Sequence, residues 1–215
     1  MAVEGQLIRE YVDQFELKYA GSSIYTECLE DMARLNLGQI TEEEIREVVQ
    51  PFLYRWGRMG RVLNRDEFEG WQGCLAIQIR AIHEKFKGFE AMQLQNVSLI
   101  HSSPDTVRCY EYLEEAVQSP IAVAKVLHLI CPDFFPLWDN RIRKGVIAEL
   151  ADRSGGSSVD SFSVFAYYCF MQVIQDFVTN YDEVLSELAE QYRKGKLKII
   201  DEALWGSRRP LSLLF

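Results

Sequence analysis

Apolar side chains recur along this chain with the period of an α-helix, and no stretch alternates apolar and polar residues as a half-buried β-strand does. The recurrence is clearest over 45–56 and 162–178. Further helices are predicted at 7–19, 26–35, 66–87, 104–117, 120–130, 140–152, 182–194 and 197–205. We therefore predict an all-α fold of about nine or ten helices, with residues 1–215 as a single all-α unit, organised as one shared core or as two lobes sharing it.

Several helix ends carry recognisable signals. Thr41–Glu44 has the spacing of a capping box, in which the first and fourth residues bond to each other's backbone amides. Ser103–Pro104 and Ser119–Pro120 each predict an N-cap followed by proline at the first helical position. Pro51 lies inside a helical pattern, so a kink or a preceding break is expected there. A loop is predicted at 155–158, which is rich in glycine and serine.

Composition narrows the class of protein. Of the 215 residues, 48% are apolar, which is enough for a full core. The net charge of −9 repels nucleic acid at long range, so binding would need a local basic patch. The five cysteines are odd in number and widely spaced, as is typical of thiols in a reducing compartment, so a cytoplasmic protein is expected. No signal peptide and no membrane-spanning segment is predicted.

Short catalytic motifs are absent from the sequence. It has no phosphate-binding loop, dinucleotide-binding fingerprint, zinc-protease motif or serine-hydrolase elbow. His83, His101 and His128 lie far apart, and no Cys/His cluster has the spacing of zinc ligands. Neighbours on a helix do not face each other, so Glu114–Glu115 and Asp201–Glu202 are not predicted to be acid/base dyads. We expect no metal and no cofactor.

The segment 121–145 is the most unusual part of the chain. An apolar helix runs into a link bounded by Pro132 and Pro136, which is predicted to be non-helical. The link delivers Trp138 and Asp139 to the start of the next helix, and a basic run follows at 141–144. Asp139 is thus predicted to stand at a helix head.

This arrangement resembles the catalytic segment of the helix-hairpin-helix DNA glycosylases, an all-α, two-lobed family. In that family a helix and a short loop with proline precede an Asp at the head of the following helix. The Asp stabilises the cationic sugar that develops as the glycosidic bond breaks, or it activates the nucleophile. The resemblance implies that Asp139 is the catalytic carboxylate and that DNA is the partner. Nucleic-acid contacts are then expected from Lys125, Trp138, Asn140, Arg141, Arg143 and Lys144.

The chain departs from that family in three respects. The family's hairpin is Gly-rich, whereas 118–124 contains no glycine. Lys125 lies closer to Asp139 than the family's nucleophilic lysine would, so the lyase role is not assigned to it. No cysteine quartet for an iron–sulfur cluster follows. The resemblance is carried by residues 119–150.

Each candidate in this segment also has a structural interpretation. Asp139 can serve as a helix N-cap, and capping alone would explain it. Trp138 and His128 can be core residues. The basic run after Asp139 can be a solvated helix face.

Two further basic clusters stand out in so acidic a chain. The first interleaves arginines with aromatic residues and glycine, a combination that can hold phosphates and stack on bases. It consists of Arg55, Arg58, Arg61 and Arg65. The alternative is that these arginines pair with the abundant carboxylates. The second cluster, at 193–198, lies near a helix end, where cations suit the helix dipole.

Three functional hypotheses remain open. The chain is a DNA-glycosylase-like protein that binds nucleic acid and excises a base through Asp139, or it is a non-catalytic relative that keeps the scaffold for binding. Alternatively, it is an all-α interaction module with a protein partner or a second copy of itself, and with no nucleic-acid role. Whether it is an enzyme is left open.

Overall fold

The computed structural model describes residues 2–19, 23–65, 68–145 and 164–207. Every regular element in these ranges is helical, which confirms the all-α prediction. The helices are α1 (Ala2–Tyr19), α2 (Ser23–Met32), α3 (Glu42–Glu44, continued by π-helical turns at Ile45–Val49 and Phe52–Trp56), α4 (Gly60–Leu63), α5 (Trp71–Glu90), α6 (Leu99–Val117), α7 (Pro120–Ile130), α8 (140–145), α9 (Val164–Asn180), α10 (Asp182–Tyr192) and α11 (Lys196–Gly206). A 3-10 turn lies at Leu94–Asn96. The loop predicted at 155–158 and the predicted continuation of α8 to 152 fall outside the described residues.

Contacts between helices divide the chain into two compact units. Unit 1 comprises Met1–Ala20, Gln93–Leu99 and Pro132–Phe215, and unit 2 comprises Gly21–Met92 and Ile100–Cys131. In unit 1, α11 packs against α1 and α10, and α10 also touches α1 and α9. In unit 2, α2 packs against α3 and α7, while α3 packs against α5. Each unit thus buries the apolar faces of its own helices.

Helix α3 continues through Pro51 without a break. The turns on both sides of it are π-helical, and the Gly57 amide donates to the Phe52 carbonyl across 2.7 Å. Proline has no N–H to donate, and its ring crowds the preceding turn, so the wider π-helical turns accommodate it. A continuous helix with widened turns is therefore found where a kink or a preceding break was predicted.

Helix α6 begins at Leu99, so the predicted start at Ser103–Pro104 is wrong. Pro104 lies inside the helix and has no N–H for the carbonyl of Ile100. The Ser103 hydroxyl donates to that carbonyl instead, at 2.9 Å. A Ser–Pro pair can therefore lie inside a helix, where the serine hydroxyl bonds to the carbonyl that proline leaves without a donor, as well as at a helix start.

Two other predicted helix starts are confirmed. Thr41 and Glu44 form the full capping box at the head of α3. Ser119 caps α7, because its hydroxyl accepts from the Ala122 amide at 3.4 Å and proline occupies the first turn. These signals succeed because both partners lie within four residues of each other.

Helix α5 begins five residues later than predicted, at Trp71 instead of 66. Gly70 has φ of +76°, in the left-handed region, and this conformation cannot continue a right-handed helix. Residues 66 and 67 lie outside the described residues.

We expect Gly206→Ala to destabilise unit 1 by about 1–3 kcal/mol, the usual cost of overpacking. A Cβ atom at Gly206, the last residue of α11, would overlap the backbone carbonyl of Tyr11 in α1. Gly88→Ala in α5 is the control, since a Cβ there meets nothing within 4 Å and replaces a poor helix former. Urea unfolding of both variants should show a loss for Gly206→Ala and a gain of up to about 1 kcal/mol for Gly88→Ala. Equal stability of the two would contradict the close approach of α11 and α1.

Candidate functional site

Residues 131–139 form the predicted non-helical link after α7. Within it, Trp138 is 1% exposed and packs against Tyr167 and Phe170, with ring centroids 5.5 and 5.3 Å away. The Tyr167 hydroxyl donates to the Pro136 carbonyl at 2.8 Å. Trp138 is therefore a core residue of unit 1, and a fully buried ring presents no face on which a nucleobase could stack.

Asp139 is the N-cap of α8. Its Oδ1 atom accepts from the Ile142 amide at 2.7 Å, and its carbonyl accepts from the Arg143 amide at 2.8 Å. The side chain is half-buried. Burial raises the pKa of Asp139, the Ile142 amide opposes that effect, and the negative charge of Asp201 adds to it. The carboxyl group is thus held in one orientation and ionises less readily than an exposed aspartate.

Arg141 is bonded to the end of another helix. Its Nη2 atom donates to the backbone carbonyls of Leu204, Trp205 and Ser207, the last two at 3.4 and 3.2 Å. Its guanidinium carbon also lies 5.4 Å from the centre of the Trp205 ring. Since the last carbonyls of a helix have no partner within it, Arg141 caps the C-terminus of α11. A phosphate would have to compete with these bonds.

The remaining α8 candidates differ in exposure. Arg143 is buried, and its Nη2 atom donates to Oδ1 of Asn140 at 3.2 Å. Asn140 and Lys144 are exposed. The predicted solvent-facing basic run is therefore reduced to Lys144 and the guanidinium of Arg141, which is bonded to α11.

Lys125 braces the end of α3 within unit 2. Its Nζ atom donates to the Gly57 carbonyl at 2.8 Å and lies 5.1 Å from the centre of the Trp56 ring. Trp56 in turn stacks on Phe52, with 4.7 Å between ring centroids. Lys125 is half-buried, and its ammonium is used in this packing.

His128 is a core residue, in agreement with its structural interpretation. It is fully buried, and its Nε2 atom lies 2.7 Å from the Tyr25 hydroxyl. The hydrogen bond satisfies the buried ring, as buried polar groups require.

Arg55, Arg58 and Arg61 are exposed and form no ion pair with any carboxylate in the part of the chain that the structure describes. Arg55 lies in the last turn of α3 and Arg61 lies in α4, whereas Arg58 lies between the two helices in a left-handed conformation with φ of +54°. Arg65 follows α4 and is also exposed. We call Arg55, Arg58 and Arg61 the arginine segment. Within the described ranges, none of these three shows the pairing with carboxylates that the alternative interpretation expects.

Two other exposed arginines of unit 2 pair with carboxylates. Arg34 binds Asp31 at 2.8 Å, and Arg46 binds Glu42 with its Nε atom 3.1 Å from the carboxylate oxygen. These pairs are three or four residues apart on one helix face, where such pairs form readily. Exposure alone therefore does not leave an arginine unpaired in this unit.

A buried group of charges in unit 1 was missed by the sequence analysis. Lys198, Asp201 and Glu202 of α11 are 2%, 6% and 1% exposed. The Lys198 ammonium lies 2.7 Å from Asp201 and 3.3 Å from Glu202. Lys194 binds Glu202 at 2.7 Å and also binds Glu16 of α1.

We call these five residues the α11 charge cluster. The sequence analysis explained the cations of 193–198 by a nearby helix end, but Lys194 and Lys198 also pair with carboxylates and Lys198 is buried. The spacing of Lys198 to Asp201 and Glu202 was the available signal, since residues three and four apart on a helix are neighbours.

The described residues contain no group of three or more His, Cys, Asp and Glu side chains that could hold a metal ion. None of their helices combines the length and the apolar character needed to cross a membrane. The five cysteines, all within these residues, form no disulfide bond.

Comparison with protein-family models, with curated proteins and with solved structures found no match to this chain. The candidate residues are therefore judged by their own geometry.

We expect Asp139→Asn to be at least as stable as the wild type at pH 7, and Asp139→Ala to be about 1 kcal/mol less stable than Asp139→Asn. Asparagine keeps the cap. The raised pKa of Asp139 means that the folded state favours the protonated form, so its stabilising effect is present below the ordinary pKa of aspartate and is lost as the pH rises through the folded value. Urea unfolding at pH 7 and at pH 4 would measure both differences. A marked loss of stability in Asp139→Asn at pH 7 would contradict the stated direction.

Proposed function

We propose that this protein binds the phosphate backbone of nucleic acid through the arginine segment. The observation that carries the proposal is the exposure of three arginines without a carboxylate partner among the described residues, within seven positions of a chain whose net charge is −9. Arginine presents a rigid, permanently charged fork that matches phosphate geometry. Exposed arginines that have no carboxylate partner among the described residues offer a local site for a polyanion on an otherwise acidic protein.

The neighbouring aromatic residues favour contact with phosphate over contact with bases. The Trp56 ring already contacts the Phe52 and Tyr25 rings and the Lys125 ammonium. The Tyr54 hydroxyl donates to Asn64 at 2.6 Å, and its ring lies near Trp71. Sequence is read at base edges, whereas phosphate contacts position the nucleic acid. We therefore expect binding with little dependence on sequence.

Base excision through Asp139 is the second candidate function, and one observation favours it. Asp139 heads a helix directly after a proline-bounded link, and it is fixed by the Ile142 amide while partly shielded from water. A partly desolvated carboxylate interacts more strongly with a developing positive charge than a solvated one. This supports a role in stabilising the cationic sugar formed when a glycosidic bond breaks.

Replacing the arginine segment should weaken binding to duplex DNA and lower its dependence on salt. The variant Arg55→Gln, Arg58→Gln, Arg61→Gln should reduce the slope of log affinity against log salt by up to about 2.7, because each phosphate contact contributes about 0.9. Fluorescence anisotropy with a short labelled duplex at two or more salt concentrations measures this slope.

A matched control removes the same charge elsewhere in unit 2. It is Arg34→Gln, Arg46→Gln, Lys87→Gln. We expect it to bind with nearly the wild-type slope, since all three cations already pair with carboxylates. Equal losses in both variants would mean that overall charge matters and not the arginine segment. No binding by the wild type at low salt would leave the protein-interaction module as the function.

Asp139→Asn should abolish excision while leaving DNA binding within about twofold, since the cap is kept. Duplexes containing an abasic-site analogue and a panel of damaged bases test binding and excision separately. Tighter binding of the wild type to the abasic analogue, with release of a base that Asp139→Asn lacks, supports the second candidate. Binding without release of any base by the wild type would leave the arginine-segment proposal standing and remove the catalytic one.

A further inference from the structure

The α11 charge cluster is not balanced in charge. Its three carboxyl groups belong to Glu16, Asp201 and Glu202, and its two ammonium groups to Lys194 and Lys198. With every group ionised, the cluster would carry one uncompensated negative charge beside side chains that are almost wholly buried. An uncompensated buried charge is costly, and the usual response of a protein is to neutralise it by taking up a proton.

The other charged groups nearby do not supply the missing positive charge. Asp139 of the link before α8 adds negative charge near Asp201, and Arg141 adds a positive one, so this pair leaves the deficit unchanged. On α1 and α10, the Tyr192 hydroxyl bonds to Asp13, and Arg9 pairs with Glu187. In each of these contacts the two groups pair with each other, so neither contact supplies a positive charge to the cluster. When these neighbouring groups of the described residues are included, the fully ionised cluster still has one uncompensated negative charge.

Glu202 is the group best placed to hold that proton. Its Oε1 atom faces the two lysines, whereas its Oε2 atom is buried and receives no hydrogen bond from an N–H or O–H donor among the described residues. An ionised carboxylate has acceptor oxygens only, while a protonated one can donate a hydrogen bond. The carboxyl group of Glu16 is the neighbouring acceptor, and it interacts with Glu202.

The electrostatic environment agrees with this assignment. Burial raises the pKa of Glu202 against the opposing effect of Lys198 and Lys194, and the Glu16 carboxyl raises it further. For Glu16, burial is outweighed by the hydrogen bonds from Lys194 and Glu202, so its pKa is lowered. The pKa values of these two interacting carboxyl groups are thus shifted in opposite directions, so Glu202 binds a proton more readily than Glu16. Burial lowers the pKa of Lys198, but Asp201 and Glu202 outweigh it and the net direction is upward, so that lysine stays charged.

We propose that the α11 charge cluster is a proton-binding site, and that unit 1 takes up one proton on the carboxyl group of Glu202 when it folds. The proposal is independent of nucleic-acid binding. The unfolded chain ionises Glu202 at the ordinary value for glutamate, and the folded chain does so only at higher pH. The stabilisation is therefore complete below the unfolded pKa and is lost as the pH rises through the folded pKa.

Urea unfolding of the full chain from about pH 4, near the ordinary glutamate pKa, to about pH 9 tests the proposal. One bound proton makes the folding equilibrium constant fall by up to about tenfold for each pH unit between the unfolded and the folded pKa of Glu202, and the dependence levels off above the folded pKa. Glu202→Gln carries the shape of the protonated residue and cannot ionise, so the difference between wild type and variant should show this slope. Glu187→Gln is the control, because Glu187 is an exposed, paired glutamate of the same unit.

Two further variants test the charge count. Glu16→Gln leaves two carboxylates against two ammonium groups, so it should flatten the pH dependence as Glu202→Gln does. Lys194→Met leaves three carboxylates against one ammonium group, so it should steepen the dependence. A merely structural cluster would lower stability in every variant by an amount that does not depend on pH, and that result would overturn the proposal.

A spectroscopic readout keeps the test valid if a variant folds poorly. Carbon-13 NMR of labelled glutamate carboxyl groups should show one resonance of the folded wild type that titrates well above the ordinary glutamate value of about 4.3. The side chain of Glu16 is more exposed than that of Glu202. In the variant Glu16→Gln, the titration midpoint of this resonance should move to lower pH. If every glutamate of the folded wild type titrated near the ordinary value, Glu202 would hold no extra proton and the proposal would be wrong.

Discussion

The constraint on which unit 1 depends is the pairing of the buried ammonium group of Lys198. An unpaired charge at that depth would cost several kcal/mol, so Asp201 and Glu202 have to lie beside it on the same helix. Helix α11 can then pack closely on α1, where its last residue, Gly206, leaves room for the Tyr11 backbone. The candidate carboxylate Asp139 is built onto this arrangement, because Arg141, two residues after it, is bonded to the final carbonyls of α11.

Unit 2 contains charged side chains that, unlike the α11 charge cluster of unit 1, are exposed and not paired among the described residues. Its helix faces hold arginines that pair with carboxylates one turn away, but three arginines between the last turn of α3 and α4 are exposed without such pairs among the described residues. Natural proteins depart from satisfied, paired surfaces chiefly where a surface has a function. The backbone between these arginines is held in place by Lys125, whose ammonium donates to the Gly57 carbonyl and lies over the Trp56 ring. Charged groups on a fixed support suit a ligand with regularly spaced phosphates.

The prolines show which local sequence signals predict a helix end correctly and which do not. Pro51 was expected to kink its helix or to follow a break, and Pro104 and Pro120 were expected to start helices. The start at Pro120 is confirmed, whereas the helices at Pro51 and Pro104 continue through the proline. Pro120 follows a serine that caps its own helix, and the whole signal lies within four residues. At Pro51 and Pro104 the helix continues because a π-helical turn or the Ser103 hydroxyl repairs the missing bond, and packing of the surrounding apolar face favours continuation.

The sequence by itself determined the helical class, most helix positions, the capping box at Thr41–Glu44 and the place of Asp139 at a helix head. These features depend on a hydrophobic period and on partners a few residues apart, which a sequence displays directly. Only the tertiary structure decided that Trp138 is core, that Arg141 caps α11 and that the α11 charge cluster is buried. Lys194 and Glu16 are 178 residues apart, and Arg141 and Ser207 are 66 apart. Whether a charge is solvated, paired or neutralised depends on which distant groups packing brings to it, and no local pattern contains that information.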